Sequence, residues 1–99
     1  MHSHIPRLEK AFIEFYNLEV EEATACSNLF LKHLPHGYTS IIKDTLDEAG
    51  YAISKVVINH TRNGRQKHNL VFSELLSLAN KERNIAVAAQ RKIKNQLIK

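Results

Sequence analysis

Apolar residues recur at intervals of three and four along most of the chain, the period of an amphipathic helix. Leu8, Ala11, Phe12, Phe15 and Tyr16 outline a first helix over residues 6–17, with Pro6 suited to its first turn. Ala23, Cys26, Leu29 and Phe30 share one face of a second, which Asn17 or a residue just after it caps and which runs to about Lys32. Leu18 and Val20 keep the junction apolar, so one helix over residues 6–32 fits the same pattern. The clearest break is His33-Leu34-Pro35-His36-Gly37, because proline cannot continue a helix interior and disfavours helical geometry in the residue before it.

After the break, Thr39 or Ser40 can cap a helix over Ile41, Ile42, Thr45 and Leu46, and Gly50 supplies a turn. A fourth helix is expected from Tyr51 to about His60, with Ile53, Val56 and Val57 as its buried stripe. Its crowded β-branched residues make a strand the competitor. Helix is preferred because Ile-x-x-Val-Val does not alternate. Asn63-Gly64 forms a turn. From about Asn69 the chain reads as helical almost to its end: Leu70, Val71, Phe72, Leu75, Leu76, Leu78 and Ala79 are dense enough for a core, whereas Ile85, Ala86, Ala89, Ile93 and Leu97 form a thinner stripe. Lys81-Glu82-Arg83-Asn84 is the place where it would be interrupted. Unbroken, such a helix measures roughly 45 Å, more than a domain of this size is wide. The expected fold is therefore all-α, a single domain over residues 1–99 with about five helices, a helix-turn-helix near residues 39–60 and a long basic helix over about residues 69–98.

Composition changes this picture mainly through charge. Residues 1–50 carry four Lys and Arg against eight Asp and Glu, a balance of −4, whereas residues 51–99 carry ten against two, a balance of +8. A fold with one basic pole attracts polyanions over a Debye length of about 8 Å at physiological salt, and nucleic acid is the commonest intracellular polyanion. The single cysteine, Cys26, excludes an intramolecular disulfide and a cysteine metal cage, and reads as a small buried hydrophobe. No apolar run approaches the roughly 20 residues of a membrane span and no signal-peptide pattern opens the chain, so a cytoplasmic location without membrane association is expected.

Two short helices, the second opening with small polar residues and followed by a basic loop, meet the demands of a helix-turn-helix: a braced first helix and a second whose leading side chains reach base edges in the major groove. Ile41, Ile42 and Leu46 would brace the first, Tyr51, Ala52, Ser54 and Lys55 would stand at the groove, and Arg62, Arg65 and Lys67 would meet phosphates. The run Leu34-Pro35-His36-Gly37-Tyr38, then Ile42, then Tyr51-Ala52-Ile53-Ser54-Lys55-Val56-Val57, then Asn59 and Arg62-Asn63, with Leu75, Leu76, Leu78 and Ala79 after it, resembles small bacterial helix-turn-helix proteins of the lambda repressor and Cro-like class. Those proteins show a Leu-Pro-x-Gly-Tyr opening, a recognition helix reading Tyr-Val-Ser-x-Val-Leu-Asn-Gly and a basic loop. The resemblance covers roughly residues 34–80. It implies base reading by Tyr51, Ala52, Ser54 and Lys55, and contacts to the DNA backbone by Ser40, Asn59, Arg62 and Arg65.

Other chemistry finds little support. His33 and His36 flank Pro35 with no acidic residue or cysteine nearby in the loop, His2 and His4 belong to a frayed terminus, and His60 and His68 flank the basic loop. No Gly-rich phosphate loop and no nucleophile–base spacing are present, and Glu19, Glu21 and Glu22 read as a solvated helix start. Phe12, Phe15, Tyr16, Phe30 and Phe72 fall at core spacings, which leaves Tyr38 and Tyr51 as exposed rings and disfavours an RNA stacking surface. The expectation is a non-enzymatic, sequence-specific duplex-DNA-binding regulator without cofactor or metal, dimeric through its last helix. The alternative is a helical protein-interaction or assembly module whose basic charge only keeps it soluble.

Overall fold

A computed structural model describes residues 4–98, so His2 and Lys99 lie outside it. The described residues form five α-helices and no strand: α1 (Arg7–Tyr16), α2 (Val20–His33), α3 (Tyr38–Glu48), α4 (Lys55–Arg62) and α5 (Asn69–Ile98). Residues 6–32 are two helices, because Asn17 turns left-handed (φ 54°) and closes α1. Asn17 thus ends one helix instead of capping the next. That cap is Glu19, whose side chain accepts from the backbone N–H of Glu22 while the Glu22 carboxylate accepts from the backbone N–H of Glu19 at 2.9 Å. Lys32 and His33 close α2 with positive or ionisable groups, the end a helix dipole favours for them.

Thr39 and Ser40, the expected caps, lie inside the first turn of α3, two and three residues past the observed cap. Gly37 holds that position at φ 81°, a conformation that side chains disfavour, and the Tyr38 N–H bonds back to Pro35 at 3.1 Å. The helix α5 runs unbroken through Lys81-Glu82-Arg83-Asn84, which contains neither glycine nor proline. His68 starts it: its Nδ1 accepts from the Val71 N–H at 3.3 Å.

Four aromatic rings centre the core. Phe72 of α5 stacks on Tyr16 of α1 (3.9 Å, 13°) and meets Phe12 and Phe30 edge-on at 5.1 and 5.6 Å. Such tilted pairs add to what burial itself contributes. The Tyr16 hydroxyl also accepts from the His68 N–H at 3.1 Å, which ties α1 to the start of α5. Burial lifts the Tyr16 phenol above its ordinary pKa, and the bond from His68 partly offsets this. Around the rings lie Ala23, Ile42, Leu46, Ile58, Val71, Leu75 and Ala79.

The chain after α4 passes close against α1. Gly64 is buried at φ 71°, an added Cβ there would meet Leu8 Cδ1 at 2.9 Å and Ala11 Cβ at 3.1 Å, and Arg7 donates to the Asn63 carbonyl at 2.9 Å. Strain and overpacking act together at this point. Gly64→Ala is expected to cost about 2–3 kcal/mol. Thermal unfolding should then fall by roughly 10–20 °C, and an unchanged melting temperature would mean that the loop can withdraw from α1.

The second half of α5 leaves the globule. Val71, Phe72, Leu75 and Ala79 are buried, whereas every described residue from Arg83 onward is exposed. The radius of gyration, 15.8 Å, accordingly exceeds the roughly 13 Å of a compact chain of about 100 residues.

Candidate nucleic-acid interface

The helices α3 and α4 pack on each other and on α5, joined by a turn from Ala49 to Ser54. Gly50 (φ 91°) ends α3 in a Schellman arrangement, its N–H bonding Asp47 at 3.0 Å and the Tyr51 N–H bonding Leu46 at 2.8 Å. Lys43 secures the turn: its ammonium donates to the Ile53 carbonyl at 3.3 Å and pairs with Asp47 at 3.2 Å. Ser54 then caps α4 by accepting from the Val57 N–H at 3.3 Å. Ile53 before that cap and Ile58 at the fourth helical position have the spacing of a hydrophobic staple.

This geometry corrects the sequence reading of the second helix. It begins at Lys55, not Tyr51, so Tyr51 and Ala52 sit in the turn and Ser54 is a cap. Its buried face is Ile58 and Thr61, with Val57 and Ile53 partly covered, whereas Val56 is 61% exposed. Thr61 joins the core because its hydroxyl donates to the Val57 carbonyl at 2.7 Å. Ile41, expected to brace α3, is 42% exposed, and Ile42 and Leu46 brace it alone.

The outer face of α4 carries Lys55, Val56, Asn59 and Arg62, which line one side of an open groove of about 660 Å³. Tyr38, Thr39 and the Leu34–Gly37 loop form its other side. Tyr38 donates to Asn59 Oδ1 at 3.0 Å, and Asn63 Nδ2 donates to the same oxygen at 3.2 Å. With that oxygen taken twice, Asn59 offers an approaching ligand its amide N–H donors. The Arg62 guanidinium lies 5.9 Å from the centre of the Phe30 ring, a cation–π contact that holds its charge beside the groove. Burial raises the Tyr38 phenol above its ordinary pKa, with Arg62 acting in the opposite direction, so this hydroxyl stays a donor at neutral pH.

Three of the residues singled out from sequence, Lys55, Asn59 and Arg62, thus share the groove. Arg65 and Lys67 are exposed in the loop that follows α4, while Ser40 on α3 and Tyr51, Ala52 and Ser54 in the turn lie outside the groove lining. Tyr38, Thr39 and Val56 were not anticipated. Ser54 followed by Ile58 and Thr61 at four and seven residues was the signal that could have exposed Val56. Lys43–Asp47 is the one ion pair among the described residues, and it leaves Lys55, Arg62, Arg65 and Lys67 free for an external anion.

Cys26 is half-buried, and burial together with the nearby Glu22 raises its pKa, which keeps the thiol protonated and a poor nucleophile. No cluster of three His, Cys, Asp or Glu that could hold a metal occurs among the described residues, and no described helix is long and apolar enough to cross a membrane. Comparison with family models, curated proteins and solved structures returns no match.

Proposed function

We propose that this chain is a sequence-specific duplex-DNA-binding protein and a regulator of transcription, with α4 as its recognition helix. The observation that carries the reading is the division of α4 into two faces: Ile58 and Thr61 anchor one in the core, while Lys55, Val56 and Asn59 are exposed on the other beside Arg62, Arg65 and Lys67, none of which has an ion-pair partner among the described residues. Eight residues give a rod about 12 Å long, and a major groove about 12 Å wide admits a helix. Lys55 suits guanine acceptors, Val56 a thymine methyl group, and the Asn59 amide an acceptor on a base edge or phosphate. Tyr51 and Ala52 move from base reading to the rim, where Tyr51, 49% exposed, reaches the backbone with Ser40, Arg65 and Lys67.

A titration of duplex DNA against salt tests it. If Lys55, Arg62, Arg65 and Lys67 all neutralise phosphates, log K should fall with log salt at a slope of about −3.6, that is −0.9 for each contact. Binding that is absent at low salt would favour the second reading, a protein-interaction module. The apolar side of the same groove supports that alternative, since Leu31 is 73% and Val56 61% exposed. A protein held there would bind with little dependence on salt.

A further inference from the structure

The face of α5 that packs on the globule does not end where the globule ends. Val71, Leu75 and Ala79 are buried on it, and the same spacing continues through Glu82, Ala86, Ala89, Ile93 and Leu97, with Ile85 alongside. Ile85, Ile93 and Leu97 are 54, 58 and 78% exposed, and no described element covers them. Lys and Arg avoid this stripe. Lys81, Arg83, Arg91, Lys92 and Lys94 all fall roughly 80° or more from its centre at 3.6 residues per turn.

The exposed surface is large enough to require explanation. A folded monomer of 11.3 kDa exposes about 5,700 Å², and this chain exposes 6929 Å². Each partner in an interface of standard size hides about 800 Å². The excess, about 1,200 Å², covers one such share.

We propose that α5 pairs with α5 of a second copy, antiparallel, about a two-fold axis beside Ala89. Ile85 of each chain then meets Ile93 of the other, and Ala89 faces Ala89, where a small side chain lets the helices approach. Leu97 comes level with Lys81 of the second copy, beside the cleft of about 340 Å³ where α2 and α5 diverge at Leu29, His33 and Arg83. Charge selects the direction. Residues 91–98 hold Arg91, Lys92 and Lys94 with no anion. Parallel pairing would set these clusters side by side, whereas antiparallel pairing lays each along Lys81, Glu82 and Arg83, whose balance is only +1. The pairing does not rest on DNA binding, because none of its residues belongs to the groove on α4.

Sedimentation equilibrium of the full chain, without DNA and at physiological ionic strength, tests it. The expected mass at tens of micromolar is twice 11.3 kDa. Ile85→Asp with Ile93→Asp should return the monomer mass with the helical spectrum intact, since both positions are exposed. A monomer at every concentration, or a dimer that survives both substitutions, would overturn the proposal. Direction is read by oxidation in a Cys26→Ser background. Ala89→Cys should cross-link between copies. Ile93→Cys should not, because its counterpart lies roughly 12 Å along the axis, beyond the span of about 7 Å that a disulfide allows. Cross-linking at Ile93→Cys would indicate parallel pairing and overturn the two-fold arrangement.

Discussion

Lys55→Glu combined with Arg65→Glu should remove duplex binding at physiological ionic strength while the far-ultraviolet circular dichroism stays unchanged. Both side chains are exposed, neither has an ion-pair partner among the described residues, and they flank α4 at its start and just beyond its end. Reversing two charges removes two contacts and adds repulsion against the phosphates, so affinity is expected to fall by about a hundredfold or more, with a salt slope shallower by about 2. Arg62 is the less suitable target. It is half-buried over Phe30, and a carboxylate in its place would disturb the core together with the interface. A filter-binding or anisotropy titration that finds unchanged affinity in the double variant would remove α4 from the interface. Loss of binding together with loss of helix would instead point to misfolding, and Lys55→Gln with Arg65→Gln would then separate the two, since it removes charge without adding any.

The all-α fold was legible because helices need only a period, and Leu8 to Tyr16, Ala23 to Phe30 and Leu70 to Ala79 each show it in a single window. The bounds of α5 were legible for the same reason. The start of α4 was not. Ile53, Val56, Val57 and Ile58 stand so close together that two helical stripes fit them. The choice is made by features that lie outside the stripe: Gly50 ends α3 late, Ser54 caps α4, and the Thr61 hydroxyl turns back on its own helix. Every side chain on α4 is rotated as a result, which is why Val56 reached the groove and Tyr51 and Ala52 left it.

The groove itself depends on contacts between distant positions. Tyr38 and Asn59 are 21 residues apart, and Arg62 meets a ring 32 positions earlier, so no local spacing announces either pair. The negative charges of α3 illustrate the same limit. Asp44, Asp47 and Glu48 put three negative charges on the helix before the proposed recognition helix, yet Asp47 is paired with Lys43, which also holds the turn. Lys43 thereby fastens the turn between the two short helices.

Phe72→Ala is the substitution expected to cost most in stability, and its effect should reach the interface. Phe72 is 5% exposed and touches the rings of Phe12, Tyr16 and Phe30, which belong to α1 and α2. Truncating such a side chain costs about 3–5 kcal/mol, from lost burial and from the cavity left behind. Domains of this size are stable by only about 5–15 kcal/mol in total, and each kcal/mol moves the melting temperature by about 4–8 °C, so unfolding should occur roughly 15–30 °C lower. Phe72→Leu, which keeps most of the volume, should lose well under half as much. The connection to the groove runs through Phe30, which packs on Phe72 and carries Arg62 over its own ring. At a temperature where Phe72→Ala is still folded, duplex affinity should therefore fall although no residue of the groove has changed. A melting temperature within a few degrees of the unsubstituted protein would show that the rings are not what fastens α5 to α1 and α2, and undiminished affinity would show that Arg62 keeps its position without them.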